Sequence, residues 1–279
     1  KGVFHFRFVP EEPEIHQRFD LGAEETVINQ EFVQRRDELS MENENSELTI
    51  HAQSSYVKIQ KFPFRIVIGD DVGGDLLVMN EDDGVLFEAH RDRERNPESF
   101  EAANFCGVED LMINGPSAIA LSFSFKQQGI TFTGLPNHAM PLDLKYTTEG
   151  EPLRMFNLDV SKYEINQSLS PYGTIPYLIG KSTGQNVSIF WCNPSETFVD
   201  LSEGKARFIS EVGYLEFFVF KGSHRELIQG FTDLTGKPTM PQLFALGFHQ
   251  SRWGYMNVDE VLEVLASYDS TKTPLDVMW

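Results

Sequence analysis

The sequence is poor in cysteine: Cys106 and Cys192 are the only two among 279 residues. Two cysteines cannot define a disulfide framework, and these lack the spacing of metal ligands. They read as buried thiols or as one bridge. Positive charge is also scarce, with 23 Lys and Arg against 42 Asp and Glu, a formal net charge of −19. Such a surface repels phosphate backbones, which argues against nucleic acid as a partner. It suits a neutral substrate such as a carbohydrate, and it equally suits plain solubility. No apolar run approaches the roughly 18 to 20 residues that span a bilayer, so no membrane span is expected. There is no internal repeat, no low-complexity tract and no signal-peptide pattern. The chain opens at Lys1 in mid-pattern, and its natural N-terminus is expected to lie further upstream. No cofactor or metal is expected.

What the sequence does hold is apolar and aromatic. Hydrophobic residues make up 41%, with 23 phenylalanines, enough for sizeable aromatic cores. Ile119, Leu121, Phe123 and Phe125 alternate with Ala120, Ser122 and Ser124, the period of a half-buried strand. Val57 and Ile59 alternate with Lys58 and Gln60, and Phe64, Ile66 and Ile68 continue after Pro63. Asn80-Glu81-Asp82-Asp83-Gly84 and Gly73-Gly74-Asp75 read as turns. Arg91 to Ser99, rich in alternating charge, reads as a mobile loop, and Glu42 to Glu47 reads similarly. Short strands at this spacing predict a β-sandwich. Two sequons occur, Asn166-Gln167-Ser168 and Asn186-Val187-Ser188, while Asn193-Pro194-Ser195 is excluded by its proline.

The pattern changes near residue 221. Ser223 and Glu226 have capping-box spacing. Leu227, Ile228, Phe231 and Leu234 follow at helical spacing, and Gly236 and Pro238 end the element. Phe244 to His249 then reads as an apolar strand. Asn257 caps a second helix, with Glu260 at the third position and Val258, Val261, Leu262, Leu265 and Tyr268 on its buried face. Pro274 to Trp279 reads as a further strand. Strand, helix and strand make one parallel βαβ unit, which needs neighbours on both faces. The fold class predicted is therefore mostly β: a sandwich over 1–221, a linking helix over 222–240, and over 241–279 the beginning of a (β/α)8 barrel or doubly wound sheet. The chain reads as a fragment of a larger one.

Gly247-Phe248-His249-Gln250-Ser251-Arg252-Trp253-Gly254-Tyr255 resembles the first barrel strand of glycoside hydrolase family 31, and Pro274-Leu275-Asp276-Val277-Met278-Trp279 resembles the second. Upstream, Gly134-Leu135-Pro136-Asn137-His138 and Met155-Phe156-Asn157-Leu158-Asp159 resemble segments of the glucosidase II branch of that family. Tyr172-Gly173-Thr174-Ile175-Pro176, Ile189-Phe190-Trp191-Cys192-Asn193 and Ser195-Glu196-Thr197-Phe198-Val199-Asp200 fit as well. The resemblance is good from about Tyr56 to Trp279. It departs where Pro136-Asn137 replaces Pro-Glu. It implies a mutarotase-like sandwich on a (β/α)8 barrel and retaining cleavage of α-linked glucose. It implies glucosylated N-glycans as substrate in the endoplasmic reticulum lumen, and a non-catalytic beta subunit and the remainder of the catalytic chain as partners.

Retaining hydrolysis needs two carboxyl groups about 5 to 5.5 Å apart. The resemblance implies that both lie beyond Trp279, so no catalytic residue is assigned in this chain. It offers Asp159 and Trp253 as substrate-binding residues, the first as an acceptor of sugar hydroxyls, the second as a flat platform for a sugar face at the C-terminal end of a barrel strand. Against these stand a turn-forming Asp and a Trp packed at the barrel mouth. His249, Arg252, Asp276 and His138 are supporting candidates. For His249 the plain alternative is a satisfied core histidine; Arg252 would hold carboxylates through bidentate bonds, and Asp276 would be its buried partner. Other readings are another family 31 α-glucosidase or α-xylosidase of the maltase type, and a non-catalytic carbohydrate-binding sandwich. Asn157-Leu158-Asp159 favours glucosidase II, because maltase-type relatives carry Asn-Arg-Asp there.

Overall fold

A computed structural model describes residues 2–11, 18, 20, 27–34, 38–44, 46–89, 104–105, 108–109, 117–148 and 150–279. The expected loop at Arg91 to Ser99 and the residue Cys106 lie outside that set. The chain divides into two compact units, Lys1–Gly236 and Lys237–Trp279.

The first unit begins with β1 (Val3–Phe8), a short helix α1 (Gln30–Gln34), β2 (Ser40–Glu44), β3 (Glu47–Ala52), β4 (Ser55–Gln60), β5 (Arg65–Asp70) and β6 (Gly74–Met79). It continues through β7 (Leu86–Phe87), β8 (Asn104–Phe105), β9 (Val108–Glu109), β10 (Ile119–Phe125), β11 (Thr131–Gly134) and β12 (Leu153–Met155). It closes with β13 (Tyr177–Lys181), β14 (Asn186–Trp191), β15 (Thr197–Ser202), β16 (Lys205–Ser210), β17 (Leu215–Gly222) and α2 (His224–Thr235).

Five strands form one sheet in the order β1-β17-β14-β13-β11, and ten form another along β12-β15-β16-β10-β6-β5-β4-β3-β2, with β7 beside β10. The predicted sandwich is this pair of sheets, and the phenylalanines fill it. Phe123 of β10 meets Trp191, Phe208 and Phe217 edge-on, with ring centroids 6.3, 5.7 and 5.2 Å away, the offset geometry that ring quadrupoles favour.

The five-stranded sheet is buried on both faces. Along β17, Leu215, Phe217 and Val219 face the sandwich interior, while Phe218 and Phe220 join Tyr177, Phe190, Leu227 and Leu234 in a second core under α2. That is why Leu215 to Phe220 shows no polar alternation beyond Glu216. Helix α2 begins with the predicted capping box: Ser223 Oγ accepts from the Glu226 amide, and the Glu226 carboxylate accepts from the Ser223 amide at 2.8 Å. Leu227, Gly230 and Leu234 are its buried positions, whereas Ile228, expected on that face, is exposed. The contact line runs i, i+3, i+7, and Ile228 stands one residue, about 100°, off it.

Two other readings are corrected. β10 was expected to be half-buried, yet all seven residues are buried. Its small serines lie between β16 and β6 under longer neighbours, and Arg207 Nη1 reaches Ser122 Oγ at 3.4 Å. Glu42, Asn43, Glu44 and Glu47, expected in a loop, are strand residues: β2 and β3 pair from Ser40↔His51 to Glu44↔Glu47. β2 is the end strand of its sheet and exposed along its whole length, so charged side chains cost it nothing and blunt an open edge.

The second unit contains a 3-10 turn (Leu243–Leu246), β18 (His249–Gln250), α3 (Val258–Thr271) and β19 (Val277–Met278). β18 and β19 pair in parallel, His249↔Val277 and Gln250↔Met278, so the expected parallel βαβ unit is present. The expected strand from Phe244 shrinks to His249–Gln250, because the 3-10 turn closes on its own carbonyls, Gly247 N–H donating to Phe244 O at 3.0 Å. Asn257 caps α3 by accepting from the Glu260 amide at 3.0 Å. Of the face expected to be buried, Val261, Leu265 and Tyr268 are half-buried and Val258 and Leu262 are exposed.

Candidate functional site

The candidate residues of the first unit sit on three loop segments that follow β11, follow β12 and precede β13. Gly134 ends β11 at φ +109°, and a Cβ there would run into the Tyr177 carbonyl oxygen. This opening admits the Leu135 amide to Tyr177 O at 2.8 Å and buries Leu135 completely. Beyond it the segments interlock. The Asn137 amide donates to Gly173 O at 2.8 Å, and the Ile175 amide donates to Pro136 O at 2.8 Å. The buried Ser170 hydroxyl lies 2.9 Å from Asn137 O and 2.8 Å from Gly173 O.

His138 is half-buried within this arrangement. Its Nδ1 lies 2.6 Å from Leu135 O and its Nε2 lies 3.1 Å from Ser168 O. Both ring nitrogens are thus turned to the main chain, and the ring joins two of the three segments. Arg154 of β12 pairs with Glu196 and lies 5.1 Å over the Phe156 ring.

Asp159 follows on the same segment and is exposed. The Leu158 amide donates to Ser170 O at 3.3 Å, and Thr174 Oγ1 donates to Asn157 Oδ1 at 3.0 Å. The Tyr172 hydroxyl donates to Val160 O at 3.2 Å, and the nearby Asp159 carboxylate raises the tyrosine above its ordinary pKa. Asp159 presents an exposed carboxylate beside the Tyr172 ring.

In the second unit Trp253 is fully exposed, on the turn after β18, with Gly254 at φ +94° behind it. Arg252 Nη2 donates to Glu260 Oε2 at 2.7 Å, and its guanidinium lies 4.6 Å over the Tyr255 ring. These contacts tie the turn to the first turn of α3. Asp276, expected as a buried partner of Arg252, is instead exposed and accepts from the Phe248 amide at 2.8 Å. Gly247 makes this possible, since a Cβ there would overlap the Asp276 carboxyl group. His249, read alternatively as a core histidine, is exposed: Nδ1 accepts from Trp279 Nε1 at 3.1 Å and Nε2 lies 3.1 Å from Ala245 O. With Nδ1 accepting, the ring proton is on Nε2.

A cavity of about 1010 Å³ opens in the first unit between β1 and β3–β5, walled by Phe4, Phe6, Phe8, Val57 and Phe64. None of the candidate residues lines it. Among the described residues no group of three or more His, Cys, Asp or Glu could hold a metal ion, and no helix is long and apolar enough to cross a membrane. Cys192 is a free buried thiol, and burial raises it well above the ordinary cysteine range.

A sandwich followed by the first βαβ unit of a barrel is the arrangement of one class of glycoside hydrolases. The chain belongs to glycoside hydrolase family 31: residues 1–200 match the family's N-terminal galactose mutarotase-like domain, and residues 238–279 match its TIM-barrel domain. It is 29% identical to the Schizosaccharomyces pombe protein named glucosidase 2 subunit alpha, over 94% of this chain and 31% of that one. It is 33% identical to the Saccharomyces cerevisiae protein of the same name, over 86% and 27%. With mouse neutral alpha-glucosidase AB it shares 36% over 59% of this chain and 20% of the other. The chain thus spans less than a third of the length of these relatives. Among solved structures, DNJ-bound glucosidase II alpha subunit superimposes with a TM-score of 0.73 at 30% identity, covering 86% of this chain and 29% of that one. A Flavobacterium johnsoniae dextranase superimposes with a TM-score of 0.69 at 20% identity, over 99% and 30%, a likeness of fold.

Proposed function

We propose that this chain is the front part of a retaining α-glucosidase of the glucosidase II type, which removes α-linked glucose from N-linked glycans in the endoplasmic reticulum lumen. The observation that carries the reading is the order of the two family 31 matches, sandwich over 1–200 and barrel start over 238–279, together with relatives named as glucosidase alpha subunits. A barrel start favours an enzyme over a free-standing carbohydrate-binding sandwich. The relation to a solved endoplasmic reticulum glucosidase II complex of catalytic subunit and regulatory-subunit binding domain supports a beta subunit as partner.

In this reading the nucleophile and the acid/base are carboxyl groups on later barrel elements, and this chain contributes binding. Asp159 accepts hydrogen bonds from sugar hydroxyls. An ionised carboxylate has about four acceptor sites, and the exposed position of Asp159 leaves them open to a ligand. Trp253 offers its indole face to the C–H face of a glucose ring, burying apolar area without demanding a charge. Arg252, bonded to Glu260 and stacked on Tyr255, holds the turn that carries Trp253. His249, Asp276 and His138 fix backbone beside these positions.

The test uses the full catalytic chain that carries this sequence, offered a glucosylated high-mannose glycan and maltose in parallel. Release of glucose from the glycan at the higher kcat/KM is expected. Cleavage of maltose alone would replace this reading by the maltase-type one.

A further inference from the structure

The two sequons of this chain have opposite surroundings. Asn186 opens β14 and is half-buried. Its Oδ1 accepts from the Ser182 amide at 3.1 Å, and its Nδ2 donates to Gly222 O at 3.3 Å. It lies on the face of β14 that also carries Ser188 and Phe190, and Phe190 belongs to the core under α2. Ser188 is fully buried, with Oγ 2.7 Å from the Tyr177 hydroxyl oxygen. Both side chains of that sequon are therefore used by the fold. A sugar on Asn186 Nδ2 would have to be fitted beside the Gly222 carbonyl, at the edge of a closed core that gives its hydroxyls no water.

Asn166 is the opposite case. It is exposed, and its φ of +65° is left-handed backbone, which asparagine enters more readily than most residues. The main chain of this sequon is fixed. The Asn166 amide donates to Ala139 O at 2.7 Å, and Ser168 O accepts from the Arg154 amide at 2.9 Å and lies 3.1 Å from His138 Nε2. Its two polar side chains are not fixed. Among the described residues, neither the Asn166 carboxamide nor the Ser168 hydroxyl has a hydrogen-bond partner.

We infer that Asn166, and not Asn186, is an N-glycan acceptor of this chain. Nδ2 of Asn166 bonds to the anomeric carbon of an oligosaccharide carried on a lipid pyrophosphate. The bond from that carbon to the pyrophosphate oxygen breaks, the lipid pyrophosphate departs, and Nδ2 gives up one proton. Ser168 supplies the hydroxyl that the acceptor triplet needs two residues on. The bulky product needs open surface, and the turn at Ile165 and Asn166 is exposed. A chain modified at Asn186 must fold around its sugar, whereas one modified at Asn166 need not. Donor and transferase belong to the secretory lumen, so the inference rests on the proposed lumenal location.

The experiment expresses the full catalytic chain that carries this sequence in a eukaryotic cell, once with its own N-terminus and once behind a supplied secretory leader. Glycans are removed by peptide N-glycanase in heavy-oxygen water, and the tagged aspartates are located by peptide mass spectrometry. The tag is expected at position 166 and not at 186 in both forms. Asn166→Gln and Ser168→Ala are each expected to abolish the loss of mass that the glycanase causes at this site, Ser168→Thr to retain it, and Asn186→Gln to leave it unchanged. Behind the leader, an untagged position 166, or a tag at 186, would overturn the assignment. A tag at 166 behind the leader alone would overturn the lumenal location, and with it the modification of the natural chain.

Discussion

Two tryptophans separate the two units of this chain. Trp191 in β14 is fully buried; its Nε1 donates to Ser210 Oγ at 2.9 Å, and its ring stacks on Phe208 and Phe217 at 5.4 and 6.2 Å. Trp253 is fully exposed. The contrast holds throughout. The first unit closes around two continuous cores, one between its sheets and one under α2. The second has no fully buried side chain, and its order comes from junctions: the Asn257 cap, the Arg252–Glu260 pair, and the Asp276 bond to Phe248. Local hydrogen bonds can set the geometry of a turn or a helix end, but burial supplies most of the free energy that holds it. The sandwich is thus a fold in its own right, and the βαβ unit is a shape that needs apolar cover on both faces of its strands.

Dividing the chain between Gly236 and Lys237 tests this most severely. Residues 1–236 are expected to unfold in one cooperative transition. Residues 237–279, with a helix of 14 residues at the margin of stability for an isolated helix in water, are expected to show the circular dichroism of a largely unfolded peptide. A cooperative melt of that peptide would break the comparison at once.

Substitution of the two tryptophans sharpens it. Trp191→Ala is expected to lower the stability of the chain by about 3–5 kcal/mol, the cost of emptying a packed aromatic site. Trp253→Ala is expected to change it by less than about 0.5 kcal/mol, with its effect confined to substrate use. Chemical denaturation followed by intrinsic fluorescence reads both, and similar losses would mean that Trp253 is packed.

The same division governs what the sequence disclosed. Signals that act over three or four residues were readable: the Ser223–Glu226 capping box, the Asn257 cap and the turn from Asn80, while the turn expected at Gly73 to Asp75 lies one step earlier, with Gly74 and Asp75 already in β6. Strands with one covered face were readable from Val57 and Ile59. Ser122 and Ser124 misled, because nothing local announces that Arg207, far along the chain, will lie over such a strand. Glu42, Glu44 and Glu47 misled in the opposite sense, since an edge strand and its neighbour tolerate the charge that usually marks a loop. For the candidate site, family motifs pointed to Asp159 and Trp253, but the partners of charged residues did not follow from spacing. Arg252 took Glu260 and left Asp276 to the backbone of Phe248, which only the absence of a side chain at Gly247 permits. The left-handed backbone of Tyr172 and its bonds to Leu158 O and Val160 O stayed hidden, because nothing local announces a contact with a segment 12 to 14 residues back.

The smallest expected effect belongs to a contact that joins the two sheets of the sandwich. Lys221 at the end of β17 pairs with Asp70 at the end of β5, and their side chains are only 8% and 14% exposed. The lysine hydrogen bond, helped by the Val72 amide at 3.0 Å, holds the Asp70 carboxyl below its ordinary value. A carboxylate depressed in this way contributes stability that is present above its unfolded pKa, about 3.9, and is lost as pH falls through the lower folded value. Between pH 5 and 7 the contribution is complete and flat. Lys221→Met removes the main cause of the depression, so the gap in stability between the natural chain and the variant is expected to be constant above pH 5 and to narrow below pH 4. Its size should not exceed about 1 kcal/mol, the upper range for pairs that water still reaches. Lys205–Asp82, with side chains 42% and 52% exposed, supplies the control: Lys205→Met should leave the acid limb unmoved within about 0.3 kcal/mol. Urea midpoints of residues 1–236 between pH 2.5 and 7 measure all three. An equal acid slope in the Lys221→Met variant would assign the acid sensitivity to other carboxylates and remove Asp70 from the contacts that bind one sheet to the other.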